Sequence, residues 1–267
     1  MHTPHDQAPA RSPRIGIFIV AYNAVNHLIK TLQRIPLEVW EQVEEVFVID
    51  DCSNDNTYYA ALGYKLHEGV DKLKVYRNQS NQGYGGNQKV GYQYAIEQGF
   101  DIVALVHGDG QYAPEVLGNL LAPLVRGDAE MVFGSRMAVP GAARAGGMPL
   151  YKYWGNRILT GIQNYLTGLH LSEYHSGYRL YSVDALKKIP FQSFTNTWHF
   201  DTQIILALAE RGARIVELPI PTYYGDEICH VNGVPYAVNC VMTSIQFAKN
   251  RKRGVLSYPG VMDVPRL

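Results

Sequence analysis

Between Val103 and Glu115 the chain reads VALVHGDGQYAPE, and this stretch gathers residue types that suit a hard cation and a polyanion. Asp109 supplies a carboxylate, Gln111 a carboxamide oxygen and His107 an imidazole. Gly108 and Gly110 flank Asp109 and let a bulky anion approach the backbone. Oxygen donors of this kind fit Mg2+ or Mn2+, which commonly take one or two carboxylates and complete their shell with substrate phosphates and water. Asp109 and Gln111 are therefore expected to hold a divalent metal against a diphosphate.

Other polar residues stand at similar places. Tyr22 and Asn23 follow an apolar run, and Asp50 and Asp51 follow another. If these runs are parallel strands of one sheet, their ends emerge with Asp109 on one edge, where α/β sheets bind ligands. Arg136, after Met131-Val132-Phe133, brings a planar cationic fork to the same edge and could offset diphosphate charge. Several common motifs are missing. The glycines at 83, 85 and 86 do not complete G-x-G-x-x-G, because Gln88 occupies the last position, and no Gly-Lys-Ser/Thr phosphate loop occurs. Serines sit in no G-x-S-x-G elbow. His170 and His175 lack the paired cysteines a zinc finger requires. His199 and His230 stand alone and read as structural.

The elements that would position these residues follow from hydrophobic period. Ile15–Ala21, Val46–Ile49, Leu73–Tyr76, Ile102–Val106, Met131–Phe133 and Ile215–Leu218 are apolar runs of strand length. Helical spacing or helix signals cover Asn26–Ile35, Tyr58–His67, Gln88–Gly99, Glu115–Ala122, Tyr151–Thr167, Asp201–Arg211 and Tyr236–Asn250. Pro114 and Glu115 suit a first helical turn. Asn78–Asn87 reads as a flexible amide-rich loop and Met137–Pro149 as a mobile Ala/Gly/Pro loop. Strand and helix in alternation predict an α/β fold with a mostly parallel, doubly wound sheet flanked by helices.

Composition narrows the class. The 267 residues are 46% apolar and 18% charged, as in a globular chain with a sizeable core. Lys+Arg and Asp+Glu balance at 24 each, so no global field points to nucleic acid. Cys52, Cys229 and Cys240 are too scattered for a disulfide framework or a zinc site, which suits a reducing cytoplasm. The first residues, MHTPHDQAPARSPR, contain no apolar signal-peptide core, and no run is long and apolar enough to span a membrane. Arg251-Lys252-Arg253 follows an amphipathic helix, reads first as a solvated helix end, and could instead contact anionic lipid at the inner face of the membrane.

Six segments then arrive in an order that resembles a known family. They are Ile17–Asn23, Val48–Thr57, Asn81–Asn87, His107–Glu115, Gly134-Ser135-Arg136 and Ser176–Tyr181. Together they resemble the family 2 inverting glycosyltransferases of GT-A fold, nearest the dolichyl- and polyprenyl-phosphate sugar synthases. The likeness spans about residues 14 to 225. It implies a UDP- or GDP-linked sugar donor, a lipid-phosphate or glycan acceptor, and Mg2+ or Mn2+.

Carried over by residue, the resemblance implies that Ala21, Tyr22, Asn23, Asp50, Asp51 and Gly83 line the nucleotide-sugar pocket with Asp109 and Arg136. Asp109 and Gln111 match metal ligands. Arg136 and Arg179 match basic residues near the diphosphate and the acceptor phosphate, with Ser176 on the acceptor side. Asp201, in Trp198-His-Phe-Asp-Thr202, matches an acidic residue for acceptor activation, and Asp201 and Arg136 are the candidate catalytic residues. Asp201 also opens a predicted helix and could equally cap it.

Four departures qualify the likeness. His107 stands where the first Asp of an acid-x-acid pair belongs, Val20 replaces a Pro, and Ala24 replaces a Glu. The segment after Pro221 lacks the basic ending of the polyprenyl-phosphate enzymes. A non-catalytic sugar-nucleotide binder and a nucleotidyltransferase stay open as alternatives, although Ile15–Asn26 has no glycine-rich basic loop for the latter. The expected organisation is a flexible tail over 1–13, a catalytic domain over 14–225, and a C-terminal helix with basic tail over 226–267.

Overall fold

The computed structural model describes residues 11–224 and 232–258. Most of the expected tail, Cys229, His230 and the expected boundary between 225 and 226 lie outside the described residues. The apolar runs form a seven-stranded sheet. In chain order its strands are β1 (Ile15–Ala21), β2 (Glu45–Asp50), β3 (Leu73–Arg77), β4 (Ile102–His107), β5 (Met131–Ser135), β6 (Arg179–Ser182) and β7 (Ile215–Pro219). Their spatial order is β3-β2-β1-β4-β6-β5-β7. β1 pairs in parallel with β2 and β4, and β2 with β3, so the carboxyl ends of these strands share one edge. β6 is the exception, antiparallel to both β4 and β5. It runs back from the functional edge, which places its first residue, Arg179, opposite Leu105 and Phe133.

Helices cover both faces. α1 (Leu28–Gln33) and α2 (Leu37–Gln42) follow β1, α3 (Thr57–Glu68) follows β2, and α4 (Tyr84–Glu97) follows β3. A single 3-10 turn at Pro114–Val116 leads into α5 (Leu117–Val125). Next come α6 (Ala142–Ala145), α7 (Leu150–Thr167), α8 (Val183–Lys187), α9 (Phe200–Glu210) and α10 (Gly233–Lys252). One core layer joins Ile17, Ile19, Val46, Val48, Ala104 and Val106 to α1 and α5. The opposite layer is aromatic, built from Phe18, Phe47, Tyr92, Phe133, Tyr181 and Phe200. The alternation of Ile17 and Phe18 between these layers is the period-two side-chain reversal of a strand buried on both faces.

Two loops are more structured than their composition implies. The amide-rich loop ends early, because α4 starts at Tyr84 and includes Gly85 and Gly86 in its first turn. A Cβ on Gly85 would lie 2.6 Å from the Thr195 carbonyl oxygen and 2.7 Å from Phe200 Cβ. Those glycines therefore serve close helix packing rather than flexibility. The Ala/Gly/Pro loop contains the short helix α6.

Candidate active site

The first wall of the site is the junction of β1 and β2. Ala21 pairs with Asp50, and its carbonyl accepts the Asp51 N–H at 2.8 Å. Asn23 takes a left-handed φ of 50° and its N–H is held by Ser53 Oγ at 2.8 Å, while Tyr22 projects outward, 45% exposed. The two aspartates divide their work. Asp50 is fully buried, bonded to the Ser53 hydroxyl and N–H and lying 3.4 Å from Arg77 Nε. Asp51 accepts from Asn78 Nδ2 and Gln82 N at 2.8 Å each, and from Gly83 N at 3.0 Å. A carboxylate can accept these bonds at both oxygens, so Asp51 pins the 78–83 loop across this wall.

Gly83 has a φ of 79°, and a Cβ there would lie 2.9 Å from the Asn196 carbonyl oxygen. Both facts demand glycine at the turn that launches α4. Tyr84, the next residue, packs against Trp198 with the rings tilted by 31° and their centroids 4.4 Å apart.

The second wall is the turn after β4. Asp109 is exposed and its Oδ1 accepts the Gln111 N–H at 3.0 Å, while Gly110 takes a φ of 74°. Arg34 braces the turn from below, donating to the Gly110 carbonyl at 3.3 Å and pairing with Glu115 at 2.7 Å. Among the described residues no cluster of three His, Cys, Asp or Glu side chains could hold a metal. One exposed carboxylate with a neighbouring carboxamide nevertheless fits a cation whose remaining ligands are phosphate oxygens and water.

His107 does not extend this donor set. Its ring packs between Tyr84 and Tyr112 at 5.8 and 5.1 Å, and its buried Nε2 has no hydrogen-bond partner. A Cβ on Gly177 would sit 2.6 Å from that nitrogen, so only glycine fits there. Burial lowers the His107 pKa, opposed by the charges of Asp109 and Asp201.

The third wall comes from β6 and α9. Asp201 is the second residue of α9, the helix is preceded by His199, and no side chain caps it. The cap reading of Asp201 is therefore set aside: its carboxylate turns inward. Oδ2 accepts the Tyr84 hydroxyl at 2.7 Å, Oδ1 accepts Gln88 Nε2 at 3.3 Å, and Arg179 Nε lies 3.6 Å away. Arg179 is completely buried and donates to the carbonyls of Ser176, Tyr174 and Asp201 at 2.9, 2.8 and 3.1 Å. Burial opposes its charge, but Asp201 together with Tyr181, Tyr84 and Tyr236 outweighs that and raises its pKa. Arg179 thus ties the 174–176 segment to the start of α9. Ser176 is likewise fully buried.

Arg136 occupies a separate cluster beside Tyr112. It pairs with Glu173 at 2.8 Å, and donates to the His175 carbonyl at 3.1 Å and the Tyr224 hydroxyl at 3.4 Å. Burial alone would raise the Glu173 pKa, but Arg136 holds it below the ordinary carboxylate value. Asn156 of α7 donates to the other side of Glu173 at 2.8 Å. His175 Nδ1 lies 2.9 Å from the Tyr236 hydroxyl of α10, and burial lowers its pKa to about 4.

Ala21, Asp50, Asp51 and Gly83 thus stand together on one wall, and Asp201, Arg179 and Ser176 on another. His107 sits within reach of the charges of both Asp109 and Asp201. Tyr84, Gln88, Tyr112, Glu173, His175 and Tyr236 join the site without a sequence signal of their own. Tyr84 and Tyr112 came nearest, standing inside the Asn81–Asn87 and His107–Glu115 segments.

Comparison with known proteins agrees with this architecture. The model of the family described as glycosyl transferase family 2 matches residues 16–190. The chain is 30% identical over 210 residues to an undecaprenyl-phosphate mannosyltransferase of Micrococcus luteus, covering 78% of this chain and 82% of that one. It is 28% identical over 223 residues to a UDP-N-acetylglucosamine–dolichyl-phosphate N-acetylglucosaminyltransferase of Methanococcus voltae, covering 79% and 86%. Among solved structures it resembles glucosyl-3-phosphoglycerate synthase of Mycobacterium tuberculosis in complex with Mn2+, UDP-glucose and phosphoglyceric acid. That likeness has a TM-score of 0.58 at 15% identity over 91% of this chain and 80% of the other, and it establishes the GT-A fold.

Proposed function

The chain belongs to glycosyl transferase family 2, and from that premise we propose that it moves a sugar from a nucleoside-diphosphate donor to a polyprenyl-phosphate acceptor, inverting the anomeric carbon. The observation that carries the reading is the position of Asp109. It is an exposed carboxylate on a glycine turn, at the same sheet edge as the Asp51-pinned loop and the Asp201 wall. The names of the Micrococcus and Methanococcus relatives support the lipid-phosphate acceptor. Family membership sets aside the nucleotidyltransferase alternative.

In this reading the nucleoside lies against Ala21, Tyr22 and Asn23, over the loop that Asp51 holds. Asp109 and Gln111 would hold Mg2+ or Mn2+ on the diphosphate, and a Mn2+ complex of the structural neighbour supports a divalent metal beside the nucleotide sugar. When bound, such a cation offsets the charge developing on the leaving diphosphate. An acceptor phosphate oxygen attacks the anomeric carbon as the bond to the β-phosphate oxygen breaks, and the nucleoside diphosphate departs with the bonding electrons. A phosphate acceptor is already anionic, so this attack requires no general base.

Asp201 then orders the acceptor wall through Tyr84 and Gln88, and Arg179 acts through Asp201 as a positioning residue. Arg136, with its charge already engaged by Glu173, shapes the rim beside Tyr112 and the diphosphate. A glycan hydroxyl acceptor would instead use Asp201 as the base.

The test is thermal-shift screening of UDP- and GDP-sugars with Mn2+, followed by transfer to a polyprenyl phosphate. Stabilisation and transfer that vanish in Asp109→Ala would support the reading. Stabilisation only by an unrelated nucleotide would overturn the donor, and transfer at the parental rate by the variant would overturn the metal assignment.

A further inference from the structure

α7 and α10 lie side by side, joined by Gln163 to Ser244 at 3.4 Å and by Arg251 to the Thr167 carbonyl. Their inner faces are buried at Thr160, Gln163 and Thr167 on one helix and Cys240, Ser244 and Phe247 on the other. Polar residues thus dominate the inner seam. The outer face is reversed. Tyr151, Trp154, Ile158 and Ile162 of α7 are 74, 56, 62 and 41% exposed, and Val238 and Met242 of α10 are 55 and 60% exposed. Between them runs an almost wholly apolar groove of about 380 Å³, lined in part by Leu159, Ala237 and Val241. A contiguous exposed apolar surface of this kind marks an interaction site rather than an ordinary surface.

Charge identifies the partner. α7 carries Lys152 and Arg157, α10 carries Lys249, Arg251 and Lys252, and neither helix contains an aspartate or glutamate. The whole stretch from Met137 to Ser172 is likewise free of acidic residues and adds Arg144. Apolar and aromatic side chains on one face, with basic residues beside them, are the composition of helices that lie in an anionic lipid interface. A second copy of this chain would set the same cations against each other, and like charges across an interface oppose association. Among the described residues no helix is long and apolar enough to cross a membrane, so the fit is to a surface.

We infer that the α7–α10 face docks on an anionic bilayer, with Trp154, Ile158, Val238 and Met242 entering the interfacial region and the flanking lysines and arginines meeting headgroup phosphates. The contact reaches well beyond the Arg251-Lys252-Arg253 end. Both helices also touch the acceptor-side segment, Asn156 through Glu173 and Tyr236 through His175. A docked molecule therefore holds that wall of the site against the lipid surface. This deepens the polyprenyl-phosphate reading and rests on it only for what the surface presents to the site.

The test is co-sedimentation of the full chain with vesicles of phosphatidylglycerol and phosphatidylcholine that contain no polyprenyl phosphate. We expect partition that weakens in high salt and is at least about tenfold lower on pure phosphatidylcholine or in the Ile158→Glu/Val238→Glu variant. Both substituted positions are exposed, and an unchanged circular dichroism spectrum checks folding. Brominated lipid should quench tryptophan fluorescence in the parent and much less in Trp154→Phe.

Absence of binding to anionic vesicles would overturn the inference. So would binding unaffected by the paired substitution, or a solution dimer that the substitution dissociates. Vesicle binding without transfer to polyprenyl phosphate would leave the inference standing and defeat the acceptor reading instead.

Discussion

The Tyr84 hydroxyl donates a 2.7 Å hydrogen bond to Asp201 Oδ2, joining residues that are 117 positions apart. Through it the first turn of α4 is tied to the first turn of α9. Burial and the Asp201 charge together raise the Tyr84 pKa well above its ordinary value, so the phenol remains a donor. The two segments are therefore joined directly, side chain to side chain.

Asp201→Asn tells the two acceptor chemistries apart. With a phosphate acceptor, kcat should stay within about tenfold of the parent, because no proton has to be removed. Loss of a general base would cost roughly 100- to 10,000-fold. A steady-state assay showing the larger loss would reassign the acceptor to a hydroxyl.

Tyr84→Phe removes one hydrogen bond to a charged group, a change of about 1.5–3 kcal/mol. The expected outcome is a lower Tm with donor KM little altered, read by thermal denaturation and initial rates. An unchanged Tm would mean that the bond contributes nothing to joining the two walls.

Glu173→Ala leaves the Arg136 guanidinium buried without its carboxylate. Removing one partner of a buried ion pair typically costs about 3–5 kcal/mol. Denaturant unfolding should register that loss, and Glu173→Gln, which keeps an acceptor for Asn156 and Arg136, should recover part of it.

The His175 imidazole is buried, and its pKa falls from 6.5 to about 4. A depressed folded-state pKa means that the unfolded chain binds the proton first as pH falls. Its stabilising contribution is therefore complete above about pH 6.5 and is lost progressively toward pH 4, amounting to no more than about 3 kcal/mol. Urea unfolding across that window should show the decline, and His175→Gln should flatten it.

Asp109→Ala should leave folding intact, since the side chain is exposed and its hydrogen bond is a local one to Gln111. Stabilisation by UDP-sugar with Mn2+ should vanish while the unliganded Tm stays within a degree or two. A large fall in the unliganded Tm would make Asp109 a structural residue of the turn.

Much of this protein is determined locally. Six of the seven strands and the shared edge of Asn23, Asp51 and Asp109 follow from apolar runs ending in polar turns, because strand period and crossover handedness leave few arrangements, whereas the antiparallel β6 has no such run. The glycines at 83, 108 and 110 likewise announce where a backbone must turn or be approached. Partnership is not local. Nothing in the sequence distinguishes the Asp50 carboxylate, bonded to Ser53 and paired with Arg77, from the Asp51 carboxylate that holds a loop. Nothing nominates Glu173 for Arg136, or sends Asp201 inward to Tyr84 instead of to its own helix end. Such choices arise only when segments far apart in the chain are desolvated together, since a buried charge must find its counter-charge wherever packing places it.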